Sequence, residues 1–281
     1  MINPVQFFTF FPCVCFISYH GLSYIKKDDE RVNTLEKQDI KLVALDMDGT
    51  LLNKAGEISE ENRRAIKEAE NQGIFVVLST GRSYATCSDF AKSMELQSYL
   101  ITVNGSEIYD NQGKLVERNI VDSDSIQWMW ELSQKHGTHF WAISCDNIYR
   151  AEMPEKIHDS QWLKFGFDTG DDSIRKIIMD ELVSKGNFEI SNSSPTNIEV
   201  NAMGVNKAKA IKLVCSLLDI TMDNVMAVGD SLNDLAMISE AKVGVAMGNA
   251  QEIVKEKADW VTATNEEDGV AMAIRKWALS N

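Results

Sequence analysis

Short apolar runs that end abruptly at polar residues are the feature of this sequence that most constrains its fold. Four such runs are KLVAL (41–45), IFVVL (74–78), YLITV (99–103) and NVMAV (224–228). Continuous apolar runs of this length are typical of strands that are buried on both faces of a parallel sheet. The polar residues that follow them, beginning with Asp46, are then expected at the carboxyl ends of those strands.

Helical segments are predicted between these strands. Ser59 is a suitable N-cap for a helix that begins with Glu60 and Glu61, and Gly73 suits the position just after its end. An alternation of strands and helices implies parallel strands joined by right-handed crossovers. The same alternation returns over residues 207–281, with one helix predicted over 232–240, so we predict that both ends of the chain contribute to one parallel α/β sheet.

The middle of the chain has a different pattern. Stretches such as THFWAI (138–143) and NFEI (187–190) alternate apolar and polar residues, as strands with one buried face do. We therefore predict a core domain from residues 40–119 and 201–281, with a separate α+β domain over 120–200 inserted into it. Trp128, Trp130 and Trp162 of the inserted segment are expected in its hydrophobic core rather than at a cofactor.

Residues 1–39 are predicted to be a leader outside the fold. Within it, residues 6–25 form an aromatic-rich apolar run with no Lys or Arg before Lys26. A secretory signal would need a basic start and a small-residue cleavage site, and a membrane anchor would need about 20 uninterrupted apolar residues, whereas Pro12 and His20 interrupt this run. A dispensable leader, an anchor and a signal all remain open, and a membrane partner is expected only if residues 6–25 anchor the chain.

The net charge limits the partners that the chain can bind, and the cysteine content indicates its cellular compartment. Lys and Arg number 28 against 42 Asp and Glu, which gives a net charge of −14 spread along the chain. A nucleic-acid partner is not expected, because such proteins present a basic surface to the phosphate backbone. An anionic substrate must instead meet local positive charge from a metal, a lysine or a helix N-terminus. The odd number of five cysteines, without a C-x-x-C pair, indicates a reducing compartment, and we expect a cytoplasmic protein.

Acidic side chains follow two of the predicted strands. Asp46 and Asp48 come after the first strand, and Asp230 and Asp234 come after the strand that ends at residue 228. Residues just beyond the carboxyl ends of parallel strands share one edge of the sheet, so these carboxylates should lie together. They cannot all stay ionised and unpaired there, and a hard divalent cation with oxygen ligands would relieve the repulsion. The sequence therefore predicts a Mg²⁺ site.

Three further residues add features that bind phosphate. Thr80 offers a hydroxyl beside the accessible backbone of Gly81, and Lys207 offers positive charge at a predicted helix N-terminus. In the D-M-D-G-T segment, Asp46 and Asp48 are two residues apart on an extended backbone and should point the same way. One of them could attack phosphorus to form an acyl phosphate while the other transfers protons.

Each of these segments also has a purely structural explanation. Asp is common in turns after strands, Thr80 could cap a helix, and Lys207 could be solvated. The G-D-x-x-N-D segment from Gly229 could be only a loop and an N-cap. Their occurrence together, each after an apolar run in the same architecture, favours the catalytic interpretation.

Five segments resemble the haloacid dehalogenase superfamily, and specifically its Cof-type phosphatases with a type IIB cap. They are KLVALDMDGTLL (41–52), VVLSTGRS (76–83), LITVNGSEIYD (100–110), SSPTNIEVNAMGVNKAKAI (193–211) and VMAVGDSLNDLAMI (225–238). The resemblance covers the chain from Lys41 to its end. It implies a Rossmann-like, doubly wound parallel sheet core with an α+β cap domain inserted between Thr80 and Lys207.

The resemblance also implies roles for individual residues. The nucleophile would be Asp46, and the general acid/base would be Asp48. Phosphate binding is implied for Met47, Thr80, Gly81, Lys207 and Asn233. Ligation of Mg²⁺ is implied for Asp46, for the backbone carbonyl of Asp48, and for Asp230. Supporting roles are implied for Asp234 and Gly49.

The expected function is Mg²⁺-dependent hydrolysis of a small phosphorylated metabolite, such as a sugar phosphate, through an aspartyl-phosphate intermediate. A phosphomutase-like phosphoryl transferase would share Asp46 and Asp48, and a catalytically idle phosphate-binding module is a further alternative. The inserted domain is expected to select the leaving group, with Trp141 and Tyr149 as candidates. A monomer or a homodimer is expected.

Overall fold

The computed structural model describes residues 39–279. The predicted leader, including the apolar run over 6–25, therefore lies outside the described residues except for Asp39. Across residues 39–279, none of the helices combines the length and the apolar character that crossing a bilayer requires.

Two separate sheets organise the described chain. The strands are, in chain order, β1 (Leu42–Leu45), β2 (Phe75–Ser79), β3 (Leu100–Thr102), β4 (Glu107–Tyr109), β5 (Leu115–Arg118), β6 (His139–Ser144), β7 (Ile148–Arg150), β8 (Trp162–Asp168), β9 (Phe188–Ser191), β10 (Asn197–Ala202), β11 (Val225–Gly229), β12 (Val243–Ala246) and β13 (Trp260–Val261). The helices are α1 (Glu60–Asn71), α2 (Tyr84–Ser93), α3 (Ser123–His136), α4 (Asp172–Lys185), α5 (Lys207–Leu217), α6 (Leu235–Glu240), α7 (Glu252–Lys257) and α8 (Gly269–Trp277).

The first sheet has the strand order β13-β12-β11-β1-β2-β3-β4-β5. The strands from β13 to β3 run parallel, and β4 and β5 are added antiparallel at one edge. Leu45 at the end of β1 lies beside Val228 of β11 and Leu78 of β2. The polar residues that follow these three strands therefore reach the same edge of the sheet.

Helix α1 begins and ends where the sequence predicts. The Ser59 side chain accepts a hydrogen bond from the backbone N–H of Asn62 at 3.1 Å, which satisfies one of the free amides of the first turn. Gly73 follows the C-cap with a φ of +81°, a conformation that glycine adopts without strain. Ala65 and Ile66 of this helix are buried in the core of the first sheet.

The second sheet is wholly antiparallel, with the order β7-β6-β8-β10-β9. Helices α3 and α4 cover one of its faces, in a core that contains Phe165 and Phe167. Trp162 is fully buried there, and its indole N–H donates to the carbonyl of Ile157 at 2.8 Å, as the prediction of a structural tryptophan requires. Because this sheet lies in sequence between β5 and α5, the predicted fold, a parallel α/β core with an inserted α+β cap, is confirmed. The boundaries at 119/120 and 200/201 stay predictions.

Two elements differ from their predicted extents. The strand predicted over 99–103 ends at Thr102, because Val103 and Asn104 have φ angles of +50° and +59° and turn the chain into antiparallel β4. The helix predicted over 232–240 begins with a 3₁₀ turn before α6 starts at Leu235. Both irregular segments lie at the edge of the sheet where β1, β2 and β11 end.

Candidate active site

The site is built from residues that follow the strands of the parallel sheet and from the start of one helix. Asp46 follows β1, Thr80 follows β2, and Asp230 follows β11. Lys207 is the first residue of α5, whose N-cap Asn206 accepts a hydrogen bond from the backbone N–H of Lys209 at 2.9 Å. This cap fixes the helix N-terminus and, with it, the point from which the lysine side chain extends.

Lys207 joins two of the carboxylates. Its side chain is fully buried, and its Nζ donates to Oδ1 of Asp46 at 2.5 Å and to Oδ1 of Asp234 at 2.7 Å. Burial alone would lower the pKa of the Lys207 ammonium, but attraction to Asp234 and Asp46 outweighs it and raises that pKa. The lysine therefore stays charged, which a buried position allows only when counter-charges surround it.

The pKa values of the carboxylates at this edge are raised. Burial raises the pKa of Asp46 well above its ordinary value, and repulsion from Asp234 and Asp230 adds to the effect while Lys207 opposes it. Burial, followed by repulsion from Asp234, raises the pKa of Asp230 to about 7. Negative charge is therefore in excess here even with Lys207 present.

The donor set fits a hard divalent cation. Asp46, Asp230 and Asp234 each offer a carboxylate oxygen within 4.8 Å of the others. Oδ2 of Asp234, however, accepts from the backbone N–H groups of Asp230 at 2.9 Å and Ser231 at 3.1 Å, and its Oδ1 accepts from Lys207. Asp234 therefore holds the loop and the lysine, whereas Asp46 and Asp230 line the cavity, where their carboxylates can meet a cation.

The Asp230 carboxylate occupies the space that a side chain at Gly49 would fill. A Cβ at this position would lie 2.5 Å from Oδ2 of Asp230, and the φ of Gly49 is +82°. Only glycine meets both conditions without strain. The Asp230 carboxylate also accepts hydrogen bonds from the Thr50 hydroxyl at 3.1 Å and the Ser231 hydroxyl at 3.0 Å, which fix its orientation.

Asp48 has a partner that the sequence did not suggest. Its carboxylate accepts from Nε of Arg82 at 2.7 Å and from Nη2 of Arg82 at 2.6 Å, a two-pronged ion pair. Asp48 lines the same cavity as Asp46, but its carboxylate does not join the group formed by Asp46, Asp230 and Asp234. The available signal was the position of Arg82 two residues after Thr80.

The predicted phosphate-binding residues are only partly accessible. Gly81 and Asn233 line the cavity, and Oδ1 of Asn233 is buried without a partner among residues 39–279. Thr80 and Lys207 are fully buried behind the cavity surface. The Met47 side chain is buried in the hydrophobic core, so only its backbone can reach a phosphate.

A cavity of about 470 Å³ separates these residues from the cap sheet. Its lining from the core includes Asp46, Asp48, Gly81, Arg82, Asp230 and Asn233. Its lining from the cap strands consists of Trp141, Ile143, Ile148, Arg150, Lys164 and Glu199. Of the two predicted specificity residues, Trp141 lines the cavity, whereas the ring of Tyr149 lies against Trp162 with centroids 5.4 Å apart.

A buried polar network connects the cap to the core. Lys164 Nζ lies 3.2 Å from Oε2 of Glu199 and donates to the carbonyl of Gly81 at 2.9 Å. Glu199 also accepts from Nδ2 of Asn104 at 2.6 Å and from Oγ of Ser193 at 2.9 Å. Burial alone would raise the pKa of Glu199, but the Lys164 ammonium and these hydrogen bonds lower it. The sequence alone does not predict this network, because the network depends on how the cap strands are paired.

Comparison with known proteins decides the family. The haloacid dehalogenase-like hydrolases match residues 43–181 and 152–274 of the chain. The chain belongs to this family. The predicted superfamily is thereby confirmed, and the predicted phosphatase activity agrees with the names of relatives within it.

Two relatives and one solved structure show which members of this family are similar to the chain. It is 59% identical over 244 residues to the 5-amino-6-(5-phospho-D-ribitylamino)uracil phosphatase YcsE of Bacillus subtilis (strain 168), covering 87% of this chain and 98% of that protein. It is 29% identical over 279 residues to YwtE, a phosphatase of the same name and organism, covering 84% and 97%. The solved structure of a haloacid dehalogenase-like hydrolase from B. subtilis matches with a TM-score of 0.78 at 25% identity, covering 84% of this chain and 99% of that one.

Proposed function

We propose that this chain is a phosphatase that hydrolyses 5-amino-6-(5-phospho-D-ribitylamino)uracil through an aspartyl-phosphate intermediate on Asp46. The observation that carries the reaction type is the buried contact of Lys207 with Asp46 and Asp234 at the edge of the cavity. The substrate is supported by the names of two relatives, of which YcsE is 59% identical to this chain.

The reaction takes two steps that use the same pair of aspartates. In the first, a carboxylate oxygen of Asp46 attacks phosphorus, the bond from phosphorus to the ribityl oxygen breaks, and Asp48 gives that oxygen its proton. In the second, water attacks phosphorus, Asp48 accepts a proton from the water, and the bond between Asp46 and phosphorus breaks. Inorganic phosphate is released and Asp46 is regenerated.

Asp48 must separate from Arg82 in order to carry a proton in the first step. The Asp48 side chain is 59% exposed and the Arg82 side chain is 30% exposed. An ion pair this accessible to water is weak, on the order of 1 kcal/mol or less, so it can open without a large penalty. Because both side chains line the cavity, Arg82 can turn toward the phosphate of an entering substrate.

The proposed cofactor is Mg²⁺, held by Asp46 and Asp230, with the backbone carbonyl of Asp48 as the family resemblance implies. When bound, it neutralises the negative charge on the oxygens of the transferred phosphoryl group. Gly81 and Asn233 are proposed to hold that group, since both line the cavity and can offer donors to its oxygens, the backbone N–H of Gly81 and the Nδ2 amide of Asn233. Lys207 does not line the cavity, and from its buried position it balances the charge of Asp46.

Phosphate release from a panel of substrates tests this proposal. Each substrate, including sugar phosphates and nucleotides, is assayed with Mg²⁺ and with EDTA. We expect the highest kcat/KM for 5-amino-6-(5-phospho-D-ribitylamino)uracil and no turnover by Asp46→Asn, whereas the exposed-site control Asp89→Asn should match the wild type. Turnover by Asp46→Asn would remove Asp46 as the nucleophile. Better hydrolysis of other panel members would remove the proposed substrate but keep the phosphatase.

A cytoplasmic location is also proposed. It is supported by Cys87, Cys145 and Cys215, which are free thiols in the part of the chain that the structure describes. The expectation of a monomer or a homodimer stays a prediction that sedimentation analysis can test.

A further inference from the structure

The cap sheet presents an ordered row of side chains to the cavity. Arg150, Trp141, Gly166 and Glu199 lie directly opposite one another on β7, β6, β8 and β10. Directly opposed residues of antiparallel strands share a face, so these four positions form one row across the sheet. Helices α3 and α4 cover the other face, so this row is directed away from the cap's own core.

Gly166 allows the indole of Trp141 to lie on the strand. A Cβ at Gly166 would be 2.2 Å from Cε2, 2.2 Å from Cζ2 and 2.6 Å from Cδ2 of Trp141. Three ring atoms at nearly equal distances indicate that the ring covers Gly166 with its face rather than its edge. Gly166 does not have a positive φ, so the reason for glycine at this position is the space that the indole occupies.

The surroundings of Trp141 suit a flat polar ring. Trp141 is half-buried and lines the cavity, and the next row of the sheet adds Ile143 and Ile148 to the same lining. Arg150 stands beside Trp141 in its row, is exposed, and has a guanidinium without a hydrogen-bond or ion-pair partner among residues 39–279. An aromatic platform next to an unpaired guanidinium can hold a planar group by stacking and by donation to its carbonyl oxygens.

We propose that Trp141 stacks on the pyrimidine ring of the leaving group and that Arg150 donates to the carbonyl oxygens of that ring. This inference rests on the proposed function, whose substrate joins a phosphate to a uracil through a ribityl chain. The phosphate occupies the core side of the cavity, and the ring occupies the cap side. Trp141 and Arg150 are then specificity residues, and Gly166 positions the platform.

If Trp141 served only to pack the cap against the core, its substitution would have different effects from those expected of a stacking residue. Trp141 also packs against a small cluster of Val103, Ile143 and Leu163, between cap and core. If that packing were its whole role, its loss would affect every substrate equally. If the indole stacks on the ring, only substrates that carry a ring are affected.

The test compares two substrates that differ by the ring. The ring-bearing member is 5-amino-6-(5-phospho-D-ribitylamino)uracil, and ribitol 5-phosphate has the same phosphorylated chain without the ring. Trp141→Ala should lower kcat/KM for the first by roughly tenfold to a hundredfold, the usual loss for removing an aromatic stacking partner. It should leave kcat/KM for ribitol 5-phosphate within about twofold, and Trp141→Phe should retain most of the preference.

Two further variants separate stacking from general damage to the cap. Gly166→Ala should reproduce the selective loss, because the new methyl group displaces the indole. Trp128→Ala is the matched control, since Trp128 stacks on Phe188 on the helix-covered side with centroids 6.3 Å apart. It should lower neither the preference for the ring nor the rate on ribitol 5-phosphate. Arg150→Gln should raise KM for the ring-bearing substrate alone.

The outcomes distinguish this inference from the proposed function. A wild type that favours the ring-bearing substrate, together with a Trp141→Ala variant that keeps the same preference, overturns the stacking role and leaves the proposed function intact. Equal losses on both substrates also overturn it, in favour of the packing role. A wild type without any preference for the ring removes the proposed substrate and the platform together.

Discussion

Replacing Lys164 with methionine should destabilise the protein strongly. Lys164 and Glu199 are both nearly excluded from water, with side chains 3% and 5% exposed. Removing one partner of a buried ion pair typically costs about 3–5 kcal/mol, because the other charge stays buried without compensation. Glu199 keeps its hydrogen bonds from Asn104 and Ser193, so we expect the lower end, about 3 kcal/mol. For a chain of this size that corresponds to a fall in Tm of about 6–12 °C.

A double-mutant cycle measured by urea unfolding checks this magnitude. Lys164→Met and Glu199→Gln should each be destabilising, and the double variant should lose about 2 kcal/mol less than the sum, because it leaves no unpaired buried charge. The matched control is Lys176→Met, which removes an exposed pair with Asp180 and should cost less than about 1 kcal/mol. If Lys164→Met costs no more than Lys176→Met, or if the two single losses simply add, the buried pair does not stabilise the protein as argued.

The ion pair of Lys164 with Glu199 predicts that the stability of the protein falls as the pH is lowered. The pKa of Glu199 is lowered in the folded protein, so its ionised form is favoured by folding. Such a group contributes its full stability above the unfolded pKa, about 4.3, and loses that contribution as pH falls toward the folded value. The stability gap between the wild type and Glu199→Gln should therefore be largest above about pH 5 and shrink in acid. A gap that widened on acidification would contradict this assignment.

The remaining predictions concern the catalytic edge. Gly49→Ala should weaken Mg²⁺ activation, because its Cβ would meet Oδ2 of Asp230, and a titration of activity against Mg²⁺ should show a raised half-saturation concentration without recovery of the full rate. Lys207→Met should abolish turnover and lower stability by about 3 kcal/mol or more, because Asp46 and Asp234 would lose their shared counter-charge. Phosphate release measures the first effect, and thermal unfolding measures the second. Removal of Mg²⁺ with EDTA should stop phosphate release, and re-addition should restore it, whereas activity that survives EDTA would contradict a metal-dependent site.

Local rules made the parallel core predictable from the sequence. The apolar runs before Asp46 and Thr80 are typical of buried strands, and the side-chain cap at Ser59 is encoded within four residues. The convergence of Asp46 and Asp230 follows from parallel topology, which brings the carboxyl ends of β1 and β11 together however far apart they are in sequence.

The features that the sequence did not predict depend on strand register or on unusual backbone. Positive φ angles at Val103 and Asn104 end β3 early and direct the Asn104 side chain toward Glu199, and no local propensity favours such a conformation for valine. The pairing of Lys164 with Glu199 requires the alignment of β8 with β10, and the opposition of Trp141 and Gly166 requires that of β6 with β8. A shift of one residue would turn these side chains to the other face, so alternation alone cannot identify them.

One face of the cap sheet connects the proposed ring platform to the proposed phosphate site. Lys164 and Gly166 are two residues apart on β8, so they share the face on which Trp141 lies. Through Lys164, that face holds the carbonyl of Gly81, the residue that directly follows Thr80. If a ring stacks on Trp141 as proposed, it lies over β8, the strand whose Lys164 contacts the Gly81 carbonyl. Displacing this strand should impair both halves of the cavity, whereas shortening Trp141 alone impairs only the half that contacts the ring.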